Sequence, residues 1–118
     1  MKVVTGDELG EILDKREPLT IIYLHTPLCG TCKLAGKMTE VVGSSLDIPI
    51  YSLNVNQSPE FAITWKVESV PCLLVFQKGF GVERIYAFRS ISYIYNILKR
   101  YTGCQNLQQS VELKGEQE

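Results

Sequence analysis

The chain has 118 residues, 45% hydrophobic and 21% charged, which suits one compact domain and excludes a second catalytic domain or a chain disordered throughout. With 12 Lys and Arg against 13 Asp and Glu, the formal charge is −1, so no summed basic field exists to hold nucleic acid or an anionic membrane. The longest apolar runs, 21–24 and 70–76, fall far short of the roughly 20 residues that span a bilayer. Lys2 is followed by Asp7, Glu8 and Glu11 before any long apolar stretch, the wrong order for a secretory signal. A complete chain of this kind is expected in the cytoplasm.

Thr5 and Glu8 stand as a capping box ahead of Leu9, Ile12 and Leu13, whose spacing predicts a helix over 7–16 with one apolar face. Pro18 breaks it, and 19–24, rich in Ile and Tyr, predicts a short strand buried on both faces. From Thr31 onward, Leu34, Ala35, Met38, Val41 and Val42 recur at helical spacing, with Gly43 as the stop signal. Cys29 therefore falls at a strand-to-helix junction. Residues 50–55 predict a second core strand. Ser58-Pro59-Glu60 predicts a helix start, with a capping Ser and Pro in the first turn, and a short helix through Trp65.

Residues 72–76 are apolar throughout, Lys78-Gly79 supplies turn chemistry, and 82–88 alternates enough to return as an antiparallel edge strand. Ile91, Ile94, Tyr95, Ile97, Leu98 and Tyr101 form a wide apolar stripe on a last helix, which Gly103 is expected to end. Residues 105–118 are mostly polar and predict a frayed tail after a domain over 1–104. Alternation of helices and strands in this order calls for an α/β fold, a central mixed sheet with helices on both faces.

Cys29, Cys32, Cys72 and Cys104 are too few and too unevenly spread for a disulfide-stapled secreted scaffold. His25 is the single histidine and no second close cysteine pair exists, so no metal site is expected. A thiol attacks as its thiolate, and a redox cysteine needs surroundings that favour negative charge. Cys29 has three such sources. The predicted helix presents unpaired N–H groups and the positive end of its dipole. No carboxylate occurs between Glu17 and Glu40, and Lys33, Lys37 and His25 add positive charge. Two intervening residues fold Cys32 back within reach of Cys29, with Gly30 permitting the tight turn and Thr31 no obstacle to the helix. This spacing permits a dithiol that cycles to a disulfide.

The segment Leu28-Cys29-Gly30-Thr31-Cys32-Lys33 after a buried strand, with Ser69-Val70-Pro71 before another, resembles the thioredoxin family. The likeness covers about residues 3–101. It implies the thioredoxin-like fold and thiol–disulfide exchange, with Cys29 attacking a protein disulfide and Cys32 resolving the mixed disulfide. It also implies a cis Pro71 facing the dithiol and a substrate groove of Leu28, Gly30, Thr31, Val70 and Pro71. No bound cofactor is implied; electrons would come from a flavoprotein disulfide reductase fed by NADPH.

The sequence departs from the family pattern at several places. Thioredoxins usually read Trp-Cys-Gly-Pro-Cys, whereas Leu28 and Thr31 hold the variable positions here. Tyr23 replaces the buried acid that moves the resolving thiol's proton, Ser52 replaces that acid's lysine partner, and His25 replaces a tryptophan. His25 is the one nearby side chain that titrates between pH 5 and 8, and it stands either as a substitute base or as a partly buried spacer with no proton role. Cys72, directly after Pro71, stands either as an auxiliary thiol or as a small buried residue heading a core strand, the second being favoured. Cys104 reads as an incidental exposed thiol, and Trp65 as packing. The leading expectation is a protein-disulfide reductase. Its rival is a non-catalytic adaptor or regulatory binding module on the same fold, favoured by the missing acid as the intact Cys-Gly-Thr-Cys favours catalysis.

Overall fold

The computed structural model describes residues 1–107. Its elements in chain order are β1 (Lys2–Val3), α1 (Gly6–Asp14), β2 (Thr20–His25), α2 (Gly30–Leu46), β3 (Tyr51–Asn54), α3 (Pro59–Thr64), β4 (Cys72–Gln77), β5 (Phe80–Ile85) and α4 (Ile91–Leu107). The strands form one sheet in the order β1-β3-β2-β4-β5. β1 and β2 run parallel to β3, whereas β4 runs antiparallel to both β2 and β5. The sheet is therefore mixed, with β5 at one edge.

Side chains alternate across the sheet because the strand period is two. Ile21 and Tyr23 of β2, with Leu73 and Val75 of β4, pack against Ala35 and Val42 of α2 and Ile94, Ile97 and Leu98 of α4. Ile22 and Leu24, with Cys72, Leu74 and Phe76, pack the other way against Leu9 of α1 and Phe61 of α3. Both central strands are buried on both faces, which is why each reads as an unbroken apolar run.

Local signals act as their chemistry predicts at several boundaries. The Thr5 hydroxyl accepts the Glu8 N–H at 3.1 Å, and the Glu8 carboxylate accepts the Thr5 N–H at 2.8 Å, closing the capping box. Lys78 and Gly79 have φ of 54° and 85°, the paired positive angles of a two-residue hairpin turn.

Elsewhere tertiary contacts decide. β1, two residues long, is too short to carry a strand period, and pairing alone defines it: Lys2 N–H donates to the Ile50 carbonyl and Val4 N–H to that of Ser52, both at 3.0 Å. α1 ends at Asp14 instead of Arg16, whose φ of 52° turns the chain left-handed. Gly43 does not stop α2; Asp47 takes the left-handed position that ends it, with φ of 54°. Gly43 serves close packing instead, since a Cβ there would meet Ile50 Cδ1 at 2.8 Å.

The second core strand stops at Asn54, whose side chain accepts the Asn56 N–H at 3.0 Å and starts a 3-10 turn over Val55–Gln57. Ser58 makes no side-chain cap on α3; its hydroxyl accepts the Gly6 N–H at 3.0 Å and ties α3 to the start of α1. β5 occupies 80–85 instead of 82–88, because the tight turn lets Gln77 pair directly with Phe80. α4 runs through Gly103 to Leu107; an interior glycine costs a helix only about 1 kcal/mol, and no proline follows. The side chain of Cys104 and the tail from 108 onward lie outside the described residues.

Candidate redox-active site

The cysteine pair sits where β2 hands over to α2, at the carboxyl end of a central strand. Cys29 is the helix N-cap, with φ −85° and ψ 108°, and Cys32 lies one turn inside. Their Cα atoms are 5.3 Å apart and a disulfide joins them, a separation ordinary for such a bond. Cys29 is half-buried and Cys32 is buried, so one end of the bond faces solvent and the other faces the core.

Two groups approach the outer sulfur. The Thr31 hydroxyl lies 3.4 Å from Cys29 Sγ, and the Val70 carbonyl oxygen lies 3.9 Å from it. The Val70-Pro71 peptide is cis, so a step far along the chain abuts the disulfide. Leu28, 96% exposed, stands beside Cys29. The turn itself does not require Gly30: its φ is not positive, and a Cβ there would meet nothing within 4 Å. What glycine leaves at that position is an unobstructed surface beside Cys29.

Behind the disulfide, Tyr23 occupies the place expected of a buried acid. Its hydroxyl donates to the Cys32 carbonyl, and burial pushes its phenol up to about 12. At neutral pH Tyr23 is a fixed donor and takes no proton from Cys32. Its ring lies against Gly36, where a Cβ would meet Tyr23 Cε2 at 3.4 Å, an ordinary van der Waals contact. The His25 ring stacks on that of Tyr23, with centroids 5.6 Å apart and planes inclined by 14°. His25 Nε2 lies 2.9 Å from the Ser52 hydroxyl. Burial holds the imidazole below its ordinary pKa, so it is neutral near pH 7.

Tyr23, His25, Ser52, Cys29 and Cys32 line one cavity of about 300 Å³. A larger cavity, about 560 Å³ between α1 and α3, contains neither cysteine nor histidine; volume alone does not mark the chemistry. Cys72 is fully buried at the head of β4, in the core on the α1 and α3 side. Burial pushes its thiol up to about 12, against a lowering influence of the Arg84 charge. Among the described residues, no cluster of three or more His, Cys, Asp or Glu could hold a metal ion, and no helix is long and apolar enough to cross a membrane.

The chain matches the Thioredoxin family model over residues 1–100. It belongs to the thioredoxin family. It is 48% identical over 101 residues to the thioredoxin-like protein YusE of Bacillus subtilis, covering 85% of this chain and 92% of that one. It is also similar to the bifunctional thioredoxin reductase/thioredoxin of Mycobacterium leprae, at 28% identity over 87 residues, 72% of this chain and 19% of that protein. A mutant thioredoxin from Halobacterium salinarum aligns with a TM-score of 0.77 at 20% identity, over 86% of this chain and 89% of that structure. The α/β architecture is thus the thioredoxin fold, and Cys29–Cys32 is a close-spaced cysteine pair within it.

Two contacts at this site had almost no signal in the sequence. Thr31 reads in the sequence as harmless to the helix and, by resemblance, as part of the groove, with no sign that its hydroxyl meets Cys29 Sγ. The hydrogen bond between Ser52 and His25 joins different strands, and its only sequence signal was that both positions depart from the thioredoxin pattern.

Proposed function

We propose that this protein is a thiol–disulfide oxidoreductase that reduces protein disulfides through a Cys29/Cys32 cycle. The observation that carries this reading is the disulfide at the N-terminus of α2, with half-exposed Cys29 against a cis Val70-Pro71 and Cys32 buried behind it. In the reduced protein, helix N–H groups and the Thr31 hydroxyl stabilise the Cys29 thiolate. That thiolate attacks one sulfur of a substrate disulfide; the other sulfur leaves and takes a proton from water. Cys32 then loses its proton and attacks Cys29 Sγ, which breaks the mixed disulfide and releases the second substrate thiol. Two electrons pass to the substrate, and the chain ends with Cys29 and Cys32 joined.

Leu28, Gly30, Thr31, Val70 and Pro71 form the groove in which an extended substrate lies. His25 accepts the Cys32 proton, a role the protonated Tyr23 cannot fill. The cycle closes when a flavoprotein disulfide reductase, fed by NADPH, returns two electrons; the relative that unites thioredoxin reductase and thioredoxin in one chain supports such a donor. The chain itself holds no cofactor in this scheme, and a reducing compartment, the cytoplasm, suits a reductase. Cys72 stays outside the cycle.

The rival reading, a non-catalytic adaptor, draws on the loss of the buried acid to Tyr23. Reduction of insulin by dithiothreitol, followed by turbidity, separates the two. Catalysis predicts acceleration by the wild type and none by Cys29→Ser. No acceleration by the wild type would overturn the reductase and leave the adaptor. Equilibration of the Cys29–Cys32 pair against glutathione then fixes the direction: a reductase is the stronger reductant.

A further inference from the structure

We propose that Ser52 is a positioning residue for proton transfer: its hydroxyl accepts the His25 Nε2–H, leaving Nδ1 as the nitrogen that exchanges a proton with the cavity shared by Cys29 and Cys32. This deepens the reading of His25 given above and rests on it.

The imidazole is held from two directions. Stacking on Tyr23, inclined by only 14°, sets the plane of the ring, and the 2.9 Å contact with Ser52 sets its rotation within that plane. Tyr23 is itself tied to the Cys32 carbonyl, so the ring plane is referenced to the backbone of the resolving cysteine. Ser52 is buried, 6% exposed, and lies opposite Tyr23 in the β2–β3 register. Its hydroxyl is therefore a fixed partner for Nε2, with bulk water largely kept away.

The direction of the bond follows from what a base must do. A serine hydroxyl can donate or accept, whereas imidazole has one N–H when neutral and two when cationic. If Ser52 donated to Nε2, protonation there would break the bond and turn the hydroxyl around. If Ser52 accepts from Nε2–H, the same bond serves both protonation states and only Nδ1 changes. The second arrangement lets the proton come and go without rearrangement of a buried group.

The titratable residues that line this cavity with His25 are Tyr23 from β2, Cys32, Lys33, Lys37 and Glu40 from α2, Cys29 from the preceding loop, and the N-terminal Met1. The Met1 amino group is paired with Glu40 at 3.1 Å. Tyr23, raised to about 12, is silent between pH 5 and 8. A limb in that range assigned to His25 must disappear in His25→Gln, which separates it from the amino group and the thiols.

Ser52→Thr and Ser52→Val test the proposal, because they share one shape and differ in the hydroxyl; Ser52→Ala serves where Val disturbs folding. Nitrogen-15 NMR of the imidazole reads the tautomer directly. The expected result is an Nε2–H tautomer in the wild type and Ser52→Thr, and a mixture with Nδ1–H in Ser52→Val. In a Cys104→Ser background, stopped-flow mixing of the reduced protein with 5,5′-dithiobis(2-nitrobenzoate) gives two releases of thionitrobenzoate, the second reporting resolution by Cys32. Ser52→Val should slow that second step about tenfold on the alkaline side of the His25 limb, a part of the 10²-fold or more that general acid–base catalysis supplies. Ser52→Thr should restore it. An Nδ1–H tautomer in the wild type, or a Ser52→Val variant with wild-type tautomer and pH profile, overturns the proposal. A wild type inactive in insulin reduction overturns the oxidoreductase reading with it, whereas an active wild type with an unmoved Ser52→Val profile overturns this one alone.

Discussion

Cys29 and Cys72 carry the same side chain and flank two loops that meet at the disulfide, yet the fold gives them opposite surroundings. Cys29 opens a helix, is half-exposed, and has a hydroxyl 3.4 Å from its sulfur. Cys72 directly follows the cis Pro71 but points into the opposite core, beside Leu24 and Leu74, with its thiol pushed up to about 12. Strand alternation causes this: Leu73 faces the Tyr23 side of the sheet, so Cys72 cannot. Proximity along the chain to a reactive loop confers no reactivity; access and donors for the thiolate do.

The largest test of this contrast removes each sulfur in turn. Cys29→Ser should reduce disulfide turnover to the uncatalysed background, while Cys32→Ser should still attack but fail to resolve. Mass spectrometry of Cys32→Ser should then find one substrate chain disulfide-bonded to Cys29. Wild-type turnover by Cys32→Ser would pass resolution to another thiol, Cys72 first.

Cys72→Ser should act on stability, with turnover of the folded protein unchanged. A hydroxyl buried among apolar side chains without a partner costs about 1–3 kcal/mol, readable from the midpoint of denaturant unfolding. In the reduced wild type, iodoacetamide at mildly acidic pH should label Cys29 first and reach Cys72 only after denaturation. Lost turnover at unchanged stability would place Cys72 inside the redox cycle and erase the contrast.

Much of this arrangement was legible beforehand because it depends on neighbours in the chain. The Thr5–Glu8 capping box, the Lys78-Gly79 turn and the apolar runs of β2 and β4 are local patterns with local causes. Gly43 departs from its local reading for the converse reason, and so does the side chain of Ser58, which holds the expected N-cap position of α3 without capping it. Each resembles a helix signal, but Gly43 answers to Ile50 and Ser58 to Gly6, partners that only packing supplies.

The smallest expected effect sharpens the inner half of the site. His25 has a folded pKa below its unfolded value of about 6.5, so as pH falls the unfolded chain binds the proton first. The stabilising contribution is therefore present above about pH 6.5 and is lost toward acid. Denaturation midpoints at about pH 7.5 and about pH 5.5 should differ more for the wild type than for His25→Gln. Equal differences would mean that His25 titrates alike in both states.

The sequence by itself determined the α/β alternation and the dithiol at a helix start. Each follows from residue type and spacing within a contiguous segment. Tertiary structure alone decided which core Cys72 enters and that Ser52 meets His25 above Tyr23. Those outcomes rest on strand register, where a shift of one residue sends every side chain to the other face. They also rest on the packing of α2 at Gly36 against the Tyr23 ring, a contact between two elements that neither segment encodes alone.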